Sequence, residues 1–191
     1  MTNIEVHENV LSEEHWKYLH DFINNEWFSW TYQLGTSHND ETGKYDREGD
    51  TPQLVRNLFH REVISSKTKF PTGFNQSMKM HEYFEVLPQI TMIPQKILPN
   101  SNPWRIKVNL LQPHPDAGEH HPWHIDSTNS YTSMIYYIND SDGDTFINKT
   151  ETQRVTPKAN SAVIFPSNWW HASSNPTKGK RIVINYVAEM T

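Results

Sequence analysis

The stretch HHPWHIDSTNSYTSMIYYIN, residues 120–139, joins a histidine-rich segment to a β-rich run. His124 and Asp126 are two positions apart, so on an extended backbone both side chains leave the same face and can converge on one ion. His121 lies three positions before His124 and points elsewhere in that geometry, so we predict that His120 and His121 are loop residues at the mouth of a site. The stretch therefore predicts half of a metal site.

β-Rich runs of similar length recur through the C-terminal half, with turn residues such as Asp142-Gly143 and Lys178-Gly179 between them. Besides the run YTSMIYYIN (131–139), they are WRIKVNLLQ (104–112), GDTFIN (143–148), SAVIFP (161–166), WWHASS (169–174) and RIVINYVAE (181–189). Short, regularly spaced strands predict an antiparallel sandwich or barrel. We expect helices to cover one face of it.

The N-terminal half shows helical spacing in several places. Ser12 can cap a helix whose apolar residues are three and four positions apart, namely Trp16, Leu19, Phe22 and Ile23. Thr51-Pro52 looks like a second cap and first turn, before the apolar residues Leu54, Val55, Leu58 and Phe59. Residues 77–98 have a helical pattern that Pro88 and Pro94 interrupt, which predicts a broken helix.

The chain has the length of one domain with a sizeable core, at 191 residues. We predict a single domain over 1–191, with helical support in 1–98 and the β-rich core in 104–188. Residues 35–50, GTSHNDETGKYDREGD, have almost no apolar content and indicate an exposed loop. The alternative for this loop is a lid over a site.

Composition and charge exclude several functions. The formal net charge is -5 and no Lys/Arg run occurs, so we expect no nucleic-acid partner. Without cysteine, a metal must be held by histidine and carboxylate, a set that suits iron, manganese or zinc. The first residues lack the pattern of a secretory signal, and no stretch approaches the ~18 apolar residues of a membrane span. We expect a soluble, cytoplasmic protein with no membrane partner.

The other half of the metal site is predicted far along the chain. His171 follows the apolar run AVIFPSNWW and is the best placed histidine in the C-terminal half for a third ligand. Two histidines and one carboxylate on one face of Fe(II) leave positions open for a co-substrate and dioxygen. Arg181 opens the run RIVINYV ten residues later, and its planar guanidinium suits a carboxylate. A dicarboxylate therefore fits between the metal and Arg181.

This pattern resembles the Fe(II)/2-oxoglutarate-dependent oxygenases, and within them the prolyl 4-hydroxylase-like catalytic domain. The matching residues are the H-x-D of His124 and Asp126, the distal His171, and the Arg181 that follows it at the family's usual distance. Further segments that resemble the family are TSMIYYIN (132–139), GDTFIN (143–148) and VTPKANSAVIFPSNWWHA (155–172). The resemblance covers residues 104–188 and implies a double-stranded β-helix, a cupin-like jelly roll, whose major sheet is supported by N-terminal helices.

The resemblance also implies roles for individual residues. Iron would be held by three ligands, namely His124, Asp126 and His171, which form the catalytic set together with Arg181. Arg181 and Tyr137 would bind the far carboxylate of 2-oxoglutarate. Gln112 stands where relatives often carry a tyrosine, and Asn185 stands where some use a hydroxyl residue. Both are predicted as further cofactor-binding residues.

The implied reaction is hydroxylation of a C–H bond, coupled to decarboxylation of 2-oxoglutarate to succinate and carbon dioxide, with ascorbate as a further cofactor. Asp126 favours hydroxylation, because halogenating relatives leave that ligand position to chloride. Val187 replaces the second arginine of the nucleic-acid demethylases, which argues against base repair. The substrate is a peptidyl proline, another side chain or a free small molecule.

Other interpretations stay open. A jelly-roll metal-binding module, such as a sensor or storage protein, would bind metal without turnover and without any need for Arg181. Hydrolytic zinc chemistry is a third possibility, although the chain has no H-E-x-x-H motif. Lys107 and Asn109 alternate along a strand that enters the site, so they either orient substrate or have structural roles.

Overall fold

The computed structural model describes residues 4–37, 48–60 and 86–191 of the chain. Most of the loop predicted at 35–50 falls on 38–47, and part of the broken helix falls on 77–85. Both segments lie outside the described residues, and the lid hypothesis lies there with them.

Two antiparallel sheets form the centre of the fold. The strands of the described residues are β1 (Glu5–His7), β2 (Thr31–Gln33), β3 (Gln53–His60), β4 (Ser101–Leu111), β5 (Thr132–Tyr137), β6 (Thr145–Ile147), β7 (Gln153–Val155), β8 (Ser161–Pro166), β9 (His171–Ser173) and β10 (Arg181–Met190). The larger sheet has the order β1-β8-β5-β10-β4-β3-β2, and the smaller has the order β7-β6-β9. This mainly β architecture confirms the predicted jelly roll.

The first predicted helix is confirmed as α1 (Glu13–Ile23). Ser12 caps it, since its side chain accepts a hydrogen bond from the His15 backbone N–H at 3.4 Å. Leu19 and Ile23 are buried against the large sheet, as their spacing predicts. The Trp16 indole N–H donates to the carbonyl of Ile138 at 2.8 Å, which ties the helix to the end of β5.

The second helix, α2 (Leu87–Ile97), runs through a proline that was predicted to divide it. Pro88 lies in the first turn, where a missing N–H costs no hydrogen bond. Pro94 lies inside the helix, yet the helix continues, and the Leu98 N–H donates to the Pro94 carbonyl at 2.7 Å. Burial of Ile90 and Ile93 against the sheet accompanies this continuity. Among the described residues, no helix has the length and apolar content needed to cross a membrane.

The helix predicted after Thr51-Pro52 is wrong, because this segment forms strand β3. A short apolar run fits a helix or a strand equally well, and long-range pairing decides between them. Here β4 offers a free edge, and β3 pairs with it antiparallel in the register Val55↔Asn109 and Asn57↔Lys107. The pairing extends the large sheet, so β3 brings Gln53 to the rim of the cleft described below.

Successive side chains of the central strands point to opposite faces of the large sheet. One face packs against the helices, and the other faces a cleft between the two sheets. On β10, Ile182 and Ile184 belong to the core under the helices, whereas Val183 faces the other side. The large sheet therefore presents its odd-numbered residues to the cleft. From β4 and β10 these are Arg105, Lys107, Asn109, Leu111, Arg181, Val183 and Asn185.

Candidate active site

Three predicted metal ligands come together at one end of the cleft. One potential ligand atom from each of His124, Asp126 and His171 lies within 4.8 Å of the other two. An isolated β-bridge holds the two histidines, with His124 N donating to the His171 carbonyl at 3.0 Å and the reverse bond at 2.9 Å. Their ring centroids are 4.3 Å apart. Backbone pairing therefore joins ligands that are far apart in sequence.

Backbone carbonyls fix the orientation of both imidazole rings. His124 Nδ1 lies 3.3 Å from the carbonyl oxygen of Pro122, and His171 Nδ1 lies 3.0 Å from that of Trp169. In a neutral ring, an Nδ1–H that donates to such a carbonyl leaves the Nε2 lone pair free for a metal. The same two-residue offset occurs at both histidines, so both rings can present Nε2 to one ion.

Asp126 is held by polar side chains of the large sheet. Its carboxylate forms an ion pair with Arg105 through Oδ1, while Oδ2 accepts hydrogen bonds from Ser133 Oγ at 2.6 Å and from Asn185 Nδ2 at 3.3 Å. Burial alone would raise the pKa of Asp126, but the charges of Arg105 and His171 outweigh it and hold that pKa well below its ordinary value. The carboxylate is thus ionised at neutral pH.

Burial sets the protonation state of His124 as well. It lowers the pKa of His124 to about 3, and the nearby charge of His171 acts in the same direction. At neutral pH the site thus offers a neutral His124 and an ionised Asp126, the forms in which these side chains bind metal. The donor set fits Fe(II), because it leaves the positions opposite the three ligands open.

Arg181 lies at the other end of the cleft and is 3% exposed. Its Nε donates to the Gly143 carbonyl at 2.9 Å and its Nη2 to Thr145 Oγ1 at 2.8 Å, and both acceptors are neutral. No described carboxylate lies within ion-pair distance of this guanidinium. An isolated buried charge is costly, so the end of the cleft fits a carboxylate ligand.

A glycine allows Arg181 to sit this close to the turn before β6. A Cβ built on Gly143 would lie 2.7 Å from the Ser174 carbonyl oxygen and 2.9 Å from Pro176 N. Both neighbours are backbone atoms, which cannot move aside cheaply. A larger residue at position 143 would therefore displace this turn and, with it, the carbonyl that accepts the hydrogen bond from Arg181.

Thr145 lines this end of the cleft, and Tyr137 packs behind it. Tyr137 is fully buried, and its hydroxyl donates to Thr145 Oγ1 at 2.8 Å. The guanidinium carbon of Arg181 lies 5.9 Å from the centroid of the Tyr137 ring, within cation–π range. Burial raises the pKa of Tyr137 to about 12, so its hydroxyl stays protonated. Thr145 accepts hydrogen bonds from both Tyr137 and Arg181, which leaves its own hydroxyl proton to donate into the cleft.

The family comparison matches the part of the chain that forms this cleft. Residues 108–188 match the model of the 2OG-Fe(II) oxygenase superfamily. The matched region contains the H-x-D residues, the distal histidine and Arg181. The β-rich core is therefore similar to this superfamily. The similarity implies Fe(II) and 2-oxoglutarate as cofactors of an oxidoreductase.

Solved oxygenase structures share the fold at low sequence identity. A prolyl-4-hydroxylase from Pseudomonas putida is 13% identical, with a TM-score of 0.57, and the match covers 98% of this chain and 92% of that chain. A prolyl hydroxylase from Trichoplax adhaerens, solved with a hypoxia inducible factor peptide fragment, is 13% identical with a TM-score of 0.58, and the match covers 97% and 82%. An alpha ketoglutarate dependent epimerase from nogalamycin biosynthesis is 11% identical with a TM-score of 0.59, and the match covers 98% and 77%. No curated protein sequence matches the chain.

The cleft is lined by two of the four residues predicted for the cofactor, Arg181 and Asn185. It has a volume of about 520 Å³ including its open mouth. Asn185 lines it and contacts Asp126, at the metal end. Gln112 does not line it: this residue follows the end of β4, is exposed, and contacts Asn175 only through its backbone carbonyl. The structure therefore gives no support to Gln112 as a cofactor-binding residue.

Sequence reasoning missed Arg105 and Thr145. Arg105 precedes Lys107 in the alternating polar positions of β4, so the alternation itself was the signal for it. Thr145 lies in the GDTFIN segment, which resembles the family but was given no role in binding. The contacts of Arg105 with Asp126 and of Thr145 with Arg181 depend on how distant segments are arranged in the fold. The local sequence does not determine that arrangement.

His121 is a loop residue, as predicted, but it is buried rather than exposed at the mouth of the site. Its Nδ1 lies 3.0 Å from Asp50 Oδ1, and the two side chains are 1% and 3% exposed. Asp50 also accepts hydrogen bonds from the backbone N–H groups of Thr36, Ser37 and Thr51. The pair thus joins the segment before β3 to the loop that carries the candidate ligands His124 and Asp126.

Replacing Asp50 by asparagine is expected to destabilise the protein by roughly 1–3 kcal/mol at pH 7, the usual cost of disturbing a buried hydrogen-bond network. Burial alone would raise the pKa of Asp50, but hydrogen bonds from His121 and Thr36 hold it below 3.8. A lowered folded-state pKa gives stability that is present above 3.8 and lost as the pH falls through the folded-state value. Melting curves of wild type and Asp50→Asn should therefore converge in acid.

The matched control is Asp21→Asn, which neutralises an exposed carboxylate on α1. We expect a much smaller change in melting temperature for that variant. A gap between wild type and Asp50→Asn that stayed constant from pH 7 to pH 3 would contradict the linkage.

Proposed function

We propose that the protein is an Fe(II)- and 2-oxoglutarate-dependent dioxygenase that hydroxylates a C–H bond of its substrate. The observation that carries the proposal is Arg181, a buried guanidinium with no carboxylate partner among the described residues, in the same cleft as the three candidate metal ligands. A metal-binding module without turnover has no use for a buried cation at a distance from its ligands. A co-substrate with a carboxylate at each end uses both ends of the cleft.

The residues divide into two groups with separate tasks. His124, Asp126 and His171 would hold Fe(II), and the backbone contacts of the two histidines keep Nε2 directed at the ion. Arg181 would bind the far carboxylate of 2-oxoglutarate, with the Thr145 hydroxyl as a second donor. Tyr137 would act through Thr145, because its own hydroxyl already donates to that residue.

The proposed reaction balances with one dioxygen molecule. One oxygen atom enters the substrate as hydroxyl, and the other enters succinate as 2-oxoglutarate loses carbon dioxide. Bound iron and 2-oxoglutarate supply the oxidising chemistry, while the protein positions the reactants and excludes water. Ascorbate dependence and a cytoplasmic location stay predictions.

A peptidyl proline is the substrate that the prolyl hydroxylase neighbours suggest. The Trichoplax adhaerens structure contains a peptide fragment, which supports an extended peptide as one class of substrate. The epimerase has the same fold and a different reaction, so the fold alone does not decide the substrate.

The proposal is tested by adding Fe(II) and then 2-oxoglutarate to the protein without oxygen. A metal chelate of the keto acid is expected to give a weak visible charge-transfer band, and admission of air should then yield succinate. If the protein bound iron but gave neither the band nor succinate, it would be a metal-binding module, and that result would contradict the enzyme proposal.

A further inference from the structure

Positive side chains outnumber carboxylates in the described lining of the cleft. Arg105, Lys107 and Arg181 line it, and Asp126 is the only carboxylate among the described lining residues. Fe(II) and the 2-oxoglutarate dianion carry opposite charges of equal size. Binding both would therefore leave the excess of two positive charges unchanged.

Lys107 is not among the hydrogen-bond or ion-pair partners of Asp126. The Oδ1 of Asp126 pairs with Arg105, and its Oδ2 accepts hydrogen bonds from Ser133 and Asn185 beside the His171 ring. Within the described residues, the ammonium group of Lys107 has no hydrogen bond or ion pair. Burial lowers the pKa of Lys107 to about 8, which still leaves the ammonium form in the majority at pH 7.

The register of β4 and β10 places Lys107 at the metal end of the cleft. Lys107 pairs with Asn185, whereas Arg181 pairs with Leu111, four residues further along β4. Four residues of antiparallel strand correspond to roughly 13 Å. The Cα of Lys107 therefore lies opposite Asn185, whose side chain contacts Asp126. Arg181 is about four residues further from the metal end, so it is the closer cation for the far carboxylate of the cofactor.

We infer that the primary substrate carries an anionic group, a carboxylate or a phosphate, that pairs with Lys107 near the metal ligands. This inference rests on the proposed function, because it assigns Arg181 to 2-oxoglutarate and leaves Lys107 for the substrate. It makes Lys107 a substrate-binding residue that selects acidic compounds. An internal peptidyl proline, with amides on both sides, lacks the required charge unless a neighbouring side chain supplies it.

The test uses the complete enzyme with Fe(II), 2-oxoglutarate and oxygen, and measures succinate formed above the substrate-free rate. The probes are matched sets: N-acetyl amino acids, their primary amides, and small phosphate monoesters. N-acetylproline and N-acetylprolinamide are one such pair. Acids or phosphates are expected to stimulate succinate formation while their neutral partners do not, and the two anionic arms identify the source of the charge.

Variants of Lys107 then test the contact itself. Lys107→Met is expected to weaken binding of the stimulating anion roughly 10- to 100-fold, since it removes one member of an enclosed charge pair. Lys107→Arg should retain part of the affinity. Anaerobic titration of the charge-transfer band measures this binding without turnover. The control is Lys96→Met, which removes an exposed lysine from the last turn of α2 and should leave anion binding unchanged.

The failures are distinguishable. If no charge-transfer band forms with iron and 2-oxoglutarate, the proposed function is wrong. If the band forms but only neutral probes, or none of the probes, stimulate succinate formation, the inference about the substrate is wrong and the oxygenase proposal stands. Unaltered anion binding in Lys107→Met would overturn the inference in the same way.

Discussion

Replacing Asp126 by alanine is expected to abolish the charge-transfer band of the Fe(II)–2-oxoglutarate complex and to stop succinate formation. The substitution removes one of three candidate ligands and leaves the positive charge of Arg105 without its carboxylate partner. Loss of an outer partner of a ligand typically weakens metal binding by about 10–100-fold. Loss of Asp126 itself should exceed about 100-fold, as measured by anaerobic Fe(II) titration.

Two further variants distinguish the effect of the Asp126 charge on iron binding from the effect of its ion pair with Arg105. Asp126→Asn keeps an oxygen for Ser133 but removes the negative charge, so it should bind iron nearly as poorly as alanine does. Arg105→Met leaves the carboxylate in place, and any loss of iron affinity should be smaller than that of Asp126→Ala. Melting curves without metal show whether each variant is folded. Normal iron and 2-oxoglutarate binding by folded Asp126→Ala would exclude Asp126 as a ligand.

The central C-terminal strands β5 and β8 were predictable because they are buried on both faces. The run TSMIYYIN puts Met134 and Tyr136 into the helix-facing core and Ile135 and Tyr137 toward the cleft side, so it is apolar or aromatic at every position from 134 to 138. Such a run can be predicted as a strand without knowing which strands lie beside it in the sheet. The segment Gln53–His60 reads as helix or strand, and only the free edge of β4 decides between them.

The candidate site was predictable to the extent that its geometry is local. His124 and Asp126 follow from a spacing of two on an extended chain, whereas His171 and Arg181 needed the family resemblance as well. Arg105 escaped notice because its contact with Asp126 crosses from a strand of the large sheet to a loop, and chain order does not reveal it. The alternation of side chains along a strand indicates which residues share a face of the sheet, but it does not indicate which loop covers that face.

Replacing Arg181 by methionine is expected to remove 2-oxoglutarate binding while leaving Fe(II) binding intact. The guanidinium is the only described cation at its end of the cleft, and losing one member of a buried charge pair costs about 2–5 kcal/mol. The apparent 2-oxoglutarate affinity should therefore fall by roughly 30-fold to several thousand-fold. Titration of the charge-transfer band measures this loss, and direct iron titration should show none.

Stability provides a second measurement that separates ligand binding from folding. Without ligand, Arg181 is a buried cation with neutral partners, so a methionine of similar volume should leave the melting temperature unchanged or raise it. Wild type should gain stability from 2-oxoglutarate in the presence of metal, and Arg181→Met should not. Tyr137→Phe, which removes only the hydrogen bond to Thr145, should lose less affinity than Arg181→Met. Equal 2-oxoglutarate binding by wild type and Arg181→Met would place the far carboxylate elsewhere, with Lys107 as the next cation in the cleft.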